Sequence, residues 1–189
     1  MAEQKRTFIA VTGAQGVGKS TFCRHLGQKL EDRGVHVTLL GGLGAALKAQ
    51  GYVMGDKADD RTVAAVVQEH LRREREAPSG IVILDRCLVD MLAYVRTLGV
   101  TPRPLLDVYE EVVKAMTPRL QLVVFLEMSD AFKVSRATHE DAVFRERIDR
   151  EIKAVLQELA LPMQAFDASG FGSLERAIAA ILAANSGAV

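Results

Sequence analysis

Residues Gly13 to Thr21 constrain this chain more than any other stretch. They read GAQGVGKST and fill the pattern G-x-x-x-x-G-K-[ST] without a gap. Thr7 to Thr12, a β-branched and apolar run, precedes the motif and predicts a buried strand. Phe22, Leu26 and Leu30 follow at helical spacing and predict one face of a helix. Strand, glycine-rich turn and helix are the context in which such a turn cradles phosphate. Gly13, Gly16 and Gly18 let backbone N–H groups approach phosphate oxygens, and the helix start adds free donors and partial positive charge. Lys19 is expected to reach the β- and γ-phosphates, and Ser20 to offer a hydroxyl to Mg²⁺. Gly13, Ala14, Gln15, Gly16, Val17, Gly18, Lys19, Ser20 and Thr21 are therefore the candidate binding residues for a nucleoside triphosphate, held with magnesium.

A length of 189 residues suits one domain with a substantial core. Lys plus Arg equals Asp plus Glu at 24 each, so no global field points to nucleic acid or an anionic membrane. The two cysteines, Cys23 and Cys87, lack the spacing of a disulfide framework or zinc site and read as small buried residues in a reducing cytoplasm. The first residues run straight into the predicted strand, leaving no room for a signal peptide, and no apolar run is long enough to span a bilayer. A soluble cytoplasmic protein is the expectation.

Further strands are predicted at His36 to Leu40, Ile81 to Leu84 (running into Asp85-Arg86), Gln121 to Met128 and Gln164 to Asp167. Between them lie predicted helices at Ala45 to Gln50, Thr62 to Glu76, Leu88 to Leu98 and from Pro102 through Met116. A long helix ends near Leu159 and a last one covers Leu174 to Ala184. The run Arg72 to Glu76 reads as a solvated helix face, and His70 and His139 as surface histidines. Alternating strands and helices mean an α/β domain with a parallel sheet covered on both faces. Ligands then bind beyond the carboxyl ends of the strands, where the glycine-rich loop, Asp85-Arg86, Glu127 and the loop after Asp167 are expected to converge.

Several nucleotide chemistries share such a loop. Guanine-specific switches need N-K-x-D, yet the single asparagine here is Asn185, near the end. Oligomeric ATPases place a glutamate after the acidic end of the second catalytic strand to orient water. The corresponding residue here is Arg86, which suits an anionic group or a migrating phosphoryl instead.

GAQGVGKST, ILDRCLVDMLAY and the arginine-bearing stretch from Arg136 to Arg145 resemble the P-loop nucleoside and nucleotide kinases. The likeness is to thymidylate-kinase-like and deoxynucleoside-kinase-like proteins and to small AAA-type ATP-binding kinases. It implies a three-layer P-loop sandwich with five parallel strands in the order 2-3-1-4-5, and a lid at about 129–150. Oligomeric state stays open, although helices such as Leu88 to Leu98 could pair two subunits into a homodimer, as in related kinases. The implied activity is ATP- and Mg²⁺-dependent phosphoryl transfer to a nucleoside, nucleotide or related small metabolite. Asp85 would be a general base toward a hydroxyl acceptor, or a group in the magnesium shell toward a phosphate acceptor. Arg86 would contact the transferred phosphoryl or the acceptor's phosphate, with Arg136 first and Arg145 second among arginines delivered by the lid. Arg147 and Arg150 read as surface charges paired with Glu146 or Glu151. Gln68 is the candidate for reading an acceptor base edge, since an amide does so with two bonds, and Tyr52 for stacking on a ring. Thymidylate kinases carry an acidic-arginine-proline signature after strand two; Gly41-Gly42-Leu43-Gly44 stands there instead, so thymidylate itself is not indicated. A regulatory ATP-binding protein and a kinase of nucleic-acid ends or modified bases remain as alternative classes, the latter disfavoured by the neutral charge.

Overall fold

The computed structural model of the chain describes residues 6–128, 142–167 and 171–186. In chain order the elements are β1 (Arg6–Thr12), α1 (Lys19–Glu31), β2 (Val37–Leu40), α2 (Leu43–Ala49), α3 (Asp60–Glu76) and β3 (Gly80–Asp85). They continue with α4 (Leu88–Leu98), α5 (Arg103–Met116), β4 (Leu120–Glu127), α6 (Ala142–Glu158), β5 (Met163–Asp167) and α7 (Phe171–Ser186). A short 3₁₀ turn, Gly55–Lys57, leads into α3.

The five strands form one parallel sheet in the order β2-β3-β1-β4-β5, as the resemblance implies. Central strands in such a sheet are covered on both faces, which is why β1, β3 and β4 read as nearly unbroken apolar runs. Alternation divides their side chains between two cores. Phe8, Ala10, Val82, Leu84, Val123 and Phe125 meet α3, α4, α5 and α6 on one face. Ile9, Val11, Ile83, Leu122, Val124 and Leu126 meet α1 and α7 on the other. Each of the Val, Leu, Ile and Phe side chains among these contributes about 1.5–3 kcal/mol by leaving water. Helix α4 is buried along most of its length against α3, α5 and α6.

Register aligns the strand ends that matter. Val11 lies beside Asp85, Thr12 beside Phe125, and Leu40 beside Leu84. The loops after β1, β2 and β3 therefore open at one edge of the sheet. No helix among the described residues is long and apolar enough to cross a membrane.

Two sequence expectations need correction here. The run from Arg72 to Glu76 is not uniformly solvated: Glu74 is buried and paired with Arg119, while Arg73 donates to the Gly41 carbonyl at 2.8 Å. His70, expected at the surface, is only 8% exposed. Both belong to the inward stripe of α3 that also carries Val63 and Val67.

Candidate active site

Gly13, Gly16 and Gly18 all adopt positive φ, at 138°, 80° and 89°. Gly13 has the strictest requirement, since a Cβ there would sit 2.5 Å from the Leu126 carbonyl oxygen. Gly18 caps α1 in the left-handed region, and its carbonyl accepts the first helical bond from Phe22 N at 2.9 Å. Ala14 and Val17 anchor the loop in the α1/α7 core, whereas Gly16, Ser20 and Thr21 face outward.

Lys19 is buried at the start of α1. Its Nζ donates to the carbonyls of Gly13 at 2.8 Å and Ala14 at 2.6 Å, so the ammonium pins the loop it serves. Burial, and next the positive charge of Arg86, lower its pKa to about 7 against the pull of Asp90 and Asp85. Such a cation gains most from an incoming polyanion. Arg145 reaches the same loop from α6: it is buried, and its Nε donates to the Gln15 carbonyl at 2.8 Å. The residues are 130 positions apart, so the contact exists only in the fold.

β3 delivers Asp85 and Arg86 opposite the loop. Arg86 has φ 77°, a left-handed conformation that costs a non-glycine residue about 1–2 kcal/mol. Its N–H donates to the Val11 carbonyl at 3.0 Å, tying the turn to β1. Its Nη1 lies 3.3 Å from Asp90 Oδ1, and its guanidinium sits 5.6 Å from the centroid of the Tyr94 ring. Asp90, nearly fully buried, also accepts the Cys87 N–H at 2.9 Å and so caps α4. The sequence reading missed Asp90. Its signal is the spacing, four residues beyond Arg86 and three beyond the cap. Cys87 is an unusual cap residue and hid it.

One cavity of about 680 Å³ joins these parts. The loop contributes Gln15, Gly16, Gly18, Lys19, Ser20 and Thr21, and the end of β3 contributes Asp85 and Arg86. Val63, Val66 and His70 of α3, with Met91, Tyr94 and Leu98 of α4, add a largely apolar wall. Gly42 to Ala45, Lys48 and the turn at Met54 to Asp56 add a further side.

The remaining candidates lie elsewhere. Gln68 is on the exposed side of α3, outside the cavity lining, because it is set apart from the inward stripe of Val63, Val67 and His70. Tyr52 is half-buried outside the lining and is covered by Arg61, 5.1 Å from its ring centroid. Glu127 and Asp167 pair at the same sheet edge without lining the cavity. Arg147 is exposed as expected, but donates to the Thr97 carbonyl at 2.8 Å, while Glu151 meets Arg96. Arg136, His139 and most of the expected lid fall outside the described residues, as does the loop at 168–170; 142–150 are the first turns of α6.

No curated protein matches the chain in sequence. A family model described as an AAA domain matches residues 8–170. The chain belongs to this AAA-domain family. Among solved structures, the AAA domain is similar to a NadR protein in complex with NR, at 18% identity and a TM-score of 0.76 over 96% of this chain. It spans about half of that protein, 52% of its length. It is also similar to deoxyadenosine kinase from M. mycoides with bound dATP, at 15% identity and a TM-score of 0.67, covering 92% of this chain and 97% of that one. A further structure of that kinase, with product dCMP, gives 16% and 0.66. These likenesses are ones of fold: the AAA domain has the fold of the P-loop nucleoside and nucleotide kinases.

Proposed function

We propose that this AAA domain is an ATP- and Mg²⁺-dependent kinase that phosphorylates a nucleoside, nucleotide or related small metabolite. The observation that carries the reading is the single cavity joining Lys19 and Ser20 to Asp85, Arg86 and an apolar chamber. A site that only hydrolysed nucleotide would have no use for that chamber. Both groups of solved relatives are consistent with it, being a deoxyadenosine kinase and a NadR protein that has also been seen with NAD and AMP-PNP.

The donor set fits the implied nucleotide and metal. The glycine turn leaves no room for a Cβ at Gly13, and its lysine is already desolvated and inward. Among the described residues no group of three or more His, Cys, Asp or Glu forms a closed cation cage. Mg²⁺ characteristically takes one or two protein oxygens with the rest from phosphates and water. Ser20 Oγ and Asp85, which line the same cavity, would supply those protein oxygens. When bound, the ion neutralises charge on the β- and γ-phosphate oxygens.

Lys19 and the loop N–H groups hold the phosphates, and Arg145 steadies the loop through Gln15. Arg86, aimed by Asp90, offsets charge on the γ-phosphoryl as it moves. The acceptor oxygen bonds to the γ-phosphorus as the bond to the β–γ bridging oxygen breaks, and ADP departs. With a hydroxyl acceptor, Asp85 takes the proton. With a phosphate acceptor no base is needed, and Asp85 serves the metal alone.

Asp85→Asn separates the roles. A large loss in kcat with Mg²⁺ dependence intact supports the base; a shift in the Mg²⁺ requirement supports the shell. Transfer of label from γ-labelled ATP to an organic acceptor tests the proposal itself. Phosphate release without a labelled acceptor would favour a regulatory ATPase. The two buried thiols, Cys23 and Cys87, suit a reducing cytoplasm.

A further inference from the structure

Most of the buried polar groups lining the cavity already have partners within the fold. Lys19 is bonded to two loop carbonyls, Arg86 to Asp90, and Asp90 to the Cys87 N–H. Thr62, at the start of α3, is bonded to Asp59 through its backbone and its side chain. His70 differs. It lies two turns further along α3 and lines the cavity beside Val63, Val66 and the α4 wall of Met91, Tyr94 and Leu98. It is more than nine-tenths buried, and no described residue hydrogen-bonds to its ring.

Its ring nitrogens are not among the buried polar atoms left without a partner in the described residues, so they open toward the cavity. A molecule bound there would meet one donor and one acceptor.

Building on the proposed kinase reading, we infer that His70 recognises the acceptor, hydrogen-bonding a neutral polar edge of a ring-bearing substrate such as a nucleoside base. The wall beside His70 supports the neutrality of that edge, since Val63, Val66, Met91 and Leu98 line the chamber there and carry no charge. Burial, then the positive charges of Arg73 and Arg86, lower the imidazole pKa to about 4, so the ring is neutral and offers one donor and one acceptor. The apolar residues beside it suit the faces of a heterocycle. His70 thus takes the part the sequence assigned to Gln68 on the same helix.

The test uses the full chain saturated with Mg²⁺ and AMP-PNP, titrated calorimetrically with adenosine, guanosine, cytidine, uridine and their 2′-deoxy forms. The expected result is that one of these binds wild type and is weakened tenfold or more by His70→Leu (about 1.4 kcal/mol). His70→Asn, which keeps a donor and an acceptor, should recover part of the loss, with AMP-PNP affinity unchanged in both variants. Equal nucleoside affinity in wild type and His70→Leu would overturn the inference and leave the kinase reading standing. Failure of every nucleoside to bind a wild-type protein that binds AMP-PNP would also overturn it. Failure to bind AMP-PNP would instead strike the kinase reading itself. If His70→Leu does not fold, nitrogen NMR of the wild-type imidazole decides. A shift on adding the nucleoside, absent on adding AMP-PNP alone, is expected; no shift overturns the inference.

Discussion

Arg86 and Asp90 hold each other one helical turn apart, with Nη1 3.3 Å from Oδ1, while the other oxygen of the same carboxylate accepts the Cys87 N–H at 2.9 Å. One buried carboxylate therefore starts α4 and aims the guanidinium that faces the phosphate loop across the cavity. Holding Arg86 in its left-handed turn is part of the same arrangement.

Because Asp90 has two duties, two substitutions divide them. Asp90→Asn keeps an oxygen for the Cys87 N–H but removes the charge that orients Arg86. It should lower kcat by about tenfold or more with little change in melting temperature. Asp90→Ala should lose the cap as well, at about 1–2 kcal/mol in unfolding free energy. Steady-state kinetics beside thermal melts check both. Wild-type kcat in Asp90→Asn would show that Arg86 is held by other contacts.

Gly41 should be equally sensitive for a steric reason. A Cβ there would lie 3.3 Å from Asp85 Cβ and 3.5 Å from Oδ2, and its carbonyl is fixed by Arg73, so the backbone cannot easily retreat. Gly41→Ala should displace the Asp85 carboxylate by a few tenths of an ångström and cut the rate by about tenfold, with under about 1 kcal/mol lost in stability. Comparing kcat with the urea midpoint tests this; an unchanged kcat would argue that Asp85 is not positioned through Gly41.

Stability should depend on pH through His70. Its folded-state pKa, about 4, lies below the ordinary 6.5, so the unfolded chain binds the proton first. The contribution of the neutral ring is complete above pH 6.5 and is lost as pH falls from 6.5 toward 4, amounting to about 3 kcal/mol. Neighbouring Arg73 and Arg86 stay charged across that window, and Glu69, lowered to about 2 by its bonds to Arg72 and Arg73, stays ionised. Urea unfolding at pH 7 and pH 4 should show wild type losing that much more than His70→Asn. Parallel losses would mean that the ring is solvated in the native state.

Much of the fold was legible because the β1 motif and the apolar runs of β3 and β4 leave few alternatives. The three central strands came out within a residue or so of their observed bounds. His70 and Glu74 were also within reach. They fall seven and eleven residues after Val63, on the inward stripe of α3, but their polarity was allowed to outweigh their position. What no periodicity reveals are pairs that only the fold unites. Arg119 meets Glu74 over 45 residues, and Arg145 meets Gln15 over 130. Gln68 failed for the opposite reason: its type suited base recognition, but its place on the helix faces solvent.

The measurement that tests the central claim most directly follows label from γ-labelled ATP and Mg²⁺, in wild type and Lys19→Ala, across nucleosides, nucleoside monophosphates and related metabolites. Inorganic phosphate is counted in the same samples. The account predicts that wild type places most of the label on one organic acceptor and that Lys19→Ala lowers this transfer by about 100-fold or more. Label recovered only as inorganic phosphate, or transfer undiminished in Lys19→Ala, would contradict it.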